Sequence, residues 1–428
     1  MRSSSIMPAS VALLTGLIGA VGCTSMQAPE DGELGTTAQA CHGGRQAPLK
    51  FYVPRPNPAA LGQIAELRAS GERKDARSIR KMVQTPQAVW LNGGTPQEIK
   101  QRVRREVKRA KRRHEIPVFA AYNIPFRDCA QFSAGGATTT EEYLDWIDGV
   151  ARGIGTSPAV VILEPDGLGI IPFYTPLYGD QEWCQPGEAD PETAAAERFV
   201  QLNAALDRLQ EQPHVSVYLD GTHSNWLGAG EAANRLVQAG VERAAGFFLN
   251  VSNYEPNERL LKHGTWISQC IAFANNDEEG GWRLGHYDWC PSQYNLSDPA
   301  DVSTWSEIDD QYADMLGSAV PAVRFVMDTS RNGQGAWPRP PEAPDGSDVQ
   351  DWCNPPDRGL GLRPTAHTGL DLVDAYLWIK IPGESDGECN RWNDWGEPDP
   401  IRNMMDPPAG EWFPEMALEL VHNANPPL

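Results

Sequence analysis

The chain has 428 residues, a formal net charge of -21 and a pI near 4.8. That balance repels phosphate backbones and anionic lipid, which argues against nucleic acid and peripheral membrane binding. Forty per cent hydrophobic residues can fill a large core, and 14 Trp, 36 Pro and 40 Gly imply long, stiff, aromatic-bearing loops around it.

Arg2 precedes an apolar run from Ile6 to Val21 that is too short and too small in side chain for a membrane span. Residues 1–22 therefore read as a secretory signal. Ala20-Val21-Gly22-Cys23 resembles a bacterial lipobox, so Cys23 is expected to be the lipidated first residue of an exported, envelope-anchored chain; plain secretion is the alternative. Residues 23–48 lack periodicity and read as a flexible leader to a single domain over 49–428. Export permits disulfides. Seven cysteines follow Cys23, an odd number, so three bridges leave one thiol over, with Cys41 in the leader the candidate. No C-x-x-C pair or His cluster suggests a metal, and no cofactor is expected.

Apolar runs recur at Leu49–Val53, Ala88–Leu91, Pro117–Tyr122, Ala159–Leu163, Val215–Leu219, Gly246–Val251, Val323–Met327 and Ala375–Ile379. Helical patterns lie between many of them. Thr95-Pro96-Gln97-Glu98 is a capping box with Pro at the first helical position, followed by Ile99, Val103, Val107 and Ala110 on one face. The opposite face is basic from Lys100 to Arg113, which on an acidic protein reads as a solvated surface. A second helix starts near Thr140 with Tyr143, Trp146, Ile147 and Val150 inward, and a third comes after Asp190-Pro191 and runs through Phe199, Leu202, Leu206 and Leu209. Strands alternating with helices imply an α/β fold with a parallel sheet, and about eight strands in one domain favour a barrel.

The residues just past each strand carry the chemistry. Val160-Val161-Ile162-Leu163 reads as a strand buried on both faces, and it runs into Glu164-Pro165-Asp166, where the proline ends the ladder. Other runs lead to Asn123 and Asp128, to Asp220 and His223, to Asn250 and Asn253, to Asp328, and to Lys380, Glu384 and Asp386. Polar and ionisable groups thus converge on the C-terminal face of the sheet, where α/β enzymes place their sites. No G-x-S-x-G, H-E-x-x-H, P-loop or dinucleotide fingerprint is present. Carboxylates and tryptophans remain, and together they suit glycoside hydrolysis.

Two segments sharpen that expectation: Tyr122-Asn123-Ile124-Pro125-Phe126-Arg127-Asp128-Cys129-Ala130-Gln131-Phe132-Ser133-Ala134-Gly135-Gly136 and Val161-Ile162-Leu163-Glu164-Pro165-Asp166. They resemble the signature segments of glycoside hydrolase family 6, the inverting β-1,4-glucanases and cellobiohydrolases. Tyr218 to Trp226, Trp352-Cys353-Asn354 and Trp378 to Gly387 are similar to further blocks, so the resemblance covers 49–428. It implies a distorted, incomplete parallel α/β barrel of seven to eight strands and a β-1,4-glucan substrate. Carried over by motif, Asp166 is the general acid and Asp386 the candidate base, acting directly or through water. Asp128 raises the acid's pKa by like-charge repulsion, and Tyr122 presses on the sugar at the cleavage point. Asp220, His223, Asn253, Lys380 and Glu384 line the cleft, with Trp90, Trp226 and Trp352 as sugar platforms. The resemblance also implies bridges Cys129–Cys184 and Cys353–Cys389, and Cys270 with Cys290 would be an extra staple on an insertion.

Glu164 reads as a scaffold residue in a buried network. His223 could be a metal ligand with Asp220, but a sugar hydrogen bond fits better because no third ligand is spaced to help. A monomeric endoglucanase is the expectation; a cellobiohydrolase, a retaining glycosidase and a non-catalytic carbohydrate-binding lipoprotein are the alternatives.

Overall fold

Seven of the apolar runs become parallel strands: β1 (Val89–Leu91), β2 (Val118–Ala121), β3 (Ala159–Leu163), β4 (Val215–Asp220), β5 (Gly246–Leu249), β6 (Arg324–Asp328) and β7 (Val373–Leu377). This is a computed structural model that describes residues 49–276 and 280–428. The expected signal over 1–22, the leader over 23–48, and Cys23 and Cys41 within them lie outside the described residues. The strands pair in chain order from β1 to β7, every pair parallel. Helices α3 (Pro96–Arg113), α4 (Thr140–Ile154), α5 (Ala194–Gln210), α6 (Ala229–Gln238) and the pair α7 (Asn257–Ala274) and α8 (Ser306–Leu316) return the chain between strands. Among the described residues β1 and β7 form no ladder. The Ala88 amide donates to the Trp378 carbonyl at 2.9 Å and the Trp90 indole to the Ile379 carbonyl at 2.8 Å, so the two edges approach without closing. The fold is a distorted, incomplete α/β barrel.

The run Leu49–Val53 does not become an eighth strand: Phe51 makes an isolated parallel bridge to Ile116. Pro54, Pro56 and Pro58 come next at alternate positions, and each lacks the N–H that a continuing ladder would use. Pro58 instead opens α1 (Pro58–Ala69), which packs with α2 (Arg73–Val83) and α9 (Pro414–His422) around Trp378, Trp412 and Phe413.

Side chains divide by the two-residue period of a strand. Phe119, Ala121, Val161, Leu163, Val217, Leu219, Phe247, Leu249, Phe325 and Met327 face the helices and join one core. Val118, Ala120, Ile162, Tyr218, Phe248, Val326, Ala375 and Leu377 fill the barrel interior. The helices dock as their patterns require. In α3 the Thr95–Glu98 capping box forms, Ile99, Val103, Val107 and Ala110 are buried, and Arg104, Arg105, Lys108, Lys111 and Arg112 are exposed as a solvated basic face. In α4 Tyr143, Trp146, Ile147 and Val150 are buried.

Three disulfides close: Cys129–Cys184, Cys270–Cys290 and Cys353–Cys389. Among the described residues no helix is long and apolar enough to cross a membrane.

Candidate active site

Continuing the interior period one step beyond the apolar layer gives Tyr122 after β2, Glu164 after β3, Asp220 at the end of β4, Asn250 after β5 and Asp328 at the end of β6. Most of these side chains tie one strand end to its neighbour's loop. Glu164 Oε2 accepts the Asn123 and Ile124 amides at 2.8 and 3.0 Å. Asp220 Oδ2 accepts Leu168 N at 3.1 Å and Gly169 N at 3.0 Å, while its Oδ1 accepts Thr222 N at 2.9 Å. Asn250 donates to the Asp328 carbonyl, and the Asp328 carboxylate accepts the Ile379 and Lys380 amides. Around these clamps the backbone has positive φ at Glu164, Asp166, Thr222 and Asn250, and it does so again at Phe126, Asp128, Cys129 and Asn354. Left-handed backbone at non-glycine residues persists only where surrounding bonds over-determine it, and such residues cluster at functional sites.

The acid loop after β3 is gripped from outside as well. Buried Arg198 of α5 donates to the carbonyls of Gly167, Ile170 and Pro125, and buried Arg235 of α6 donates to Leu168 O at 2.8 Å. Arg235 is neutralised by Glu231 and Glu182. Gly169 must be glycine here, because a Cβ would sit 2.5 Å from the Trp226 ring.

Above this layer lies a cleft of about 1020 Å³. Asp166 lines it, and burial holds its carboxyl well above the usual range, followed by the negative charges of Asp220 and Asp128. Asp128, whose Oδ2 accepts Ser133 N at 2.6 Å, is pushed up to about 6 by burial. Asp386 behaves in the opposite way. Burial would raise it, but Arg331 Nη1 at 2.7 Å and Lys380 Nζ at 2.9 Å overcome that and hold it at about 2. Asn354 N at 3.1 Å and Tyr254 OH at 3.3 Å also donate to Asp386 Oδ2. A single cleft thus carries one carboxyl raised well above the usual range and one held below it.

A family profile described as Glycosyl hydrolases family 6 matches residues 47–424. The chain belongs to that family. It is 33% identical over 375 residues to Endoglucanase A of Cellulomonas fimi, covering 87% of this chain and 61% of that one, so it spans under two thirds of that relative's length. It is 31% identical to Endoglucanase 1 of Streptomyces sp. (strain KSM-9), covering 82% of this chain and 73% of the other. The solved endoglucanase Cel6 of Mycobacterium tuberculosis, in complex with methyl-cellobiosyl-4-deoxy-4-thio-β-D-cellobioside, superposes with a TM-score of 0.61 at 31% identity. That match covers 88% of this chain and 98% of that one.

In this family 6 chain the cleft brings together Tyr122, Asp128, Asp166, His223, Asn253, Lys380, Glu384 and Asp386 with Trp90, Trp226 and Trp352. Trp90 meets Tyr122 edge-on at 5.4 Å. Burial, with a smaller push from Arg259, lowers His223 to about 3, and its Nδ1 accepts Asn225 N at 3.2 Å. Glu384 is raised by burial and accepts from Asn57 at 3.0 Å. Asp220 is not among the lining residues; it is the clamp beneath the acid loop. Glu164 is fully buried, and burial pushes it up to about 7.

Several groups in and beside the cleft carry no signal in the strand-end pattern. Arg331, three residues past the strand-end Asp328, grips Asp386 from 55 residues away. Tyr254, Trp183 and Trp337 also line the cleft. Trp183 stands beside Cys184, and Tyr254 beside Asn253, positions that a search of strand-end loops for aromatics would have reached.

Proposed function

We propose that this chain hydrolyses β-1,4-glucosidic bonds of cellulose or a related β-glucan with inversion, as an endoglucanase. The observation that carries this reading is the divergence of Asp166 and Asp386: burial and like charges raise one carboxyl and two bound cations lower the other, which suits an acid and a base in one cleft lined with tryptophan. Asp166 donates its proton to the glycosidic oxygen as the bond to the anomeric carbon breaks. A water attacks that carbon from the opposite face, and its proton passes toward Asp386. With two cations on its oxygens Asp386 is a weak base, which favours transfer through an intervening water over direct abstraction. Tyr122 packs against the ring at the cleavage point, and Trp90, Trp226 and Trp352 stack on neighbouring sugars. Three disulfides suit an oxidising compartment, consistent with action outside the cytoplasm.

Proton NMR of the first product from cellohexaose tests the stereochemistry: the α-anomer is expected, and initial β-anomer rejects inversion. Asp166→Asn should lower kcat by about 10²–10⁴-fold with the fold intact.

A second reading, cellobiohydrolase, has its own support. Phe132 of the loop after β2 stacks on Trp395 of the loop after β7, with centroids 5.2 Å apart and planes at 11°, and packs on Trp352 at 5.9 Å. A Cβ on Gly387 would lie 2.4 Å from Phe132, so glycine at φ 143° admits the contact. The two loops therefore meet beside the catalytic residues. Viscosity of a soluble cellulose derivative should fall faster than reducing ends appear; near-exclusive cellobiose release would select the exo reading.

A further inference from the structure

The exposed aromatic surface is unevenly distributed. Six Trp and Tyr side chains are exposed among the described residues, and five of them, Tyr178, Trp183, Trp282, Trp289 and Tyr294, fall in two segments, 178–183 and 282–294. The segments touch: the Tyr178 hydroxyl donates to the Asp288 carbonyl. In the second segment Trp282 and Trp289 lie 5.8 Å apart, and Trp289 stacks on His286 at 3.8 Å and 16°. Trp282 is supported by the Arg283 guanidinium at 4.8 Å and by Phe273 edge-on.

This support is built, not loose. Cys290 is bridged to Cys270 of α7, Tyr287 is buried in the main core, and the Gly285 amide bonds to Ala274 O at 2.9 Å. Yet Trp282 and Trp289 remain 50% and 45% exposed, and Tyr178 69%. Exposed apolar rings held on a rigid base mark a contact surface.

The two segments meet cleft residues at two points. Trp183, at the base of the 178–183 segment, lines the cleft and adjoins Cys184, whose bridge to Cys129 reaches the Asp128 loop. Tyr294 donates to the backbone carbonyl of Trp226, another cleft tryptophan, at 3.2 Å. A β-glucan has all its ring substituents equatorial and so presents flat C–H faces to such rings, with hydroxyls at its edges. Asp288, with an exposed carboxylate, and half-buried His286 stand beside the rings to meet those hydroxyls.

We propose that the aromatic band of Tyr178, Trp282, Trp289 and Tyr294 is a second β-glucan-binding surface, adjoining the catalytic cleft, that holds the enzyme on an insoluble polysaccharide. The proposal rests on the substrate reading above. It predicts that polymer binding and catalytic turnover separate on mutation.

The test uses the full chain and the double variant Trp282→Ala/Trp289→Ala. Partitioning onto amorphous cellulose, measured in an Asp166→Asn background to prevent hydrolysis, should weaken roughly ten-fold. In the active background kcat/KM on soluble cellotetraose should stay at the wild-type value. Unchanged partitioning overturns the proposal. So does a parallel loss of cellotetraose turnover, in the double variant and in Tyr178→Ala alike, because the rings would then be structural. A fall in mass by light scattering with cellulose binding intact would make the band a contact between copies and also reject it. Wild-type protein that cleaves neither cellotetraose nor cellulose would overturn the substrate reading itself, a result distinct from all of these.

Discussion

Asp166 and Asp386 are the same side chain in two electrostatic settings. Asp166 is raised by burial and then by the charges of Asp220 and Asp128, against a smaller lowering by Lys380, whereas Asp386 is gripped by Arg331 and Lys380. Like-charge support for the acid thus comes from Asp220 ahead of Asp128, a larger share for the buried clamp than its motif suggested. Asp128→Asn removes one of those charges. Asp166 should then lose its proton more readily, and the alkaline limb of kcat/KM against pH should move to lower pH by roughly one unit or less. The effect should appear above pH 6, because burial holds Asp128 at about 6 and it is largely neutral below that. An alkaline limb that stays fixed or moves upward would remove Asp128 from the acid's environment.

Loops after strands, not the strands, carry the ionisable groups that line the cleft, and most of these loops are tied to a neighbour by a buried polar side chain from a strand end. The chain of clamps from Glu164 to Asp220 to Asp328 explains why left-handed residues such as Glu164 and Asp166 hold their conformations. Disulfides repeat the device at longer range. Cys129–Cys184 spans 55 residues and secures the Asp128 loop; Cys270–Cys290 spans 20 and secures the outer insertion. By loop-closure entropy, serine pairs at these positions should cost roughly 4 and 3 kcal/mol in stability respectively. Catalysis should divide them. Denaturant titration and cellotetraose turnover on both double variants should show kcat lowered by loss of the first bridge and retained after loss of the second; equal kcat losses would contradict this division of labour.

Among the described residues β1 and β7 form no ladder, and the Phe132–Trp395 contact joins the loops that follow β2 and β7. Trp395 is 72% exposed, so its removal should disturb the core little while deleting the ring stack between the two loops. Trp395→Ala should raise the ratio of viscosity loss to reducing ends on a soluble cellulose derivative; an unchanged ratio would show that this contact does not limit access. Much of this architecture is legible in the chain. The apolar runs located seven strands, and the polar residues just past them placed Tyr122, Asp128, Asp166 and Asp386 in loops at the sheet's C-terminal face. Proline at every second position denied Leu49–Val53 a ladder, a local signal that its apolar run masks. The opposite shifts of the two acids and the meeting of the loops arise only on folding. Protonation depends on burial and on partners such as Arg331, 55 residues from Asp386, whose approach no local pattern encodes.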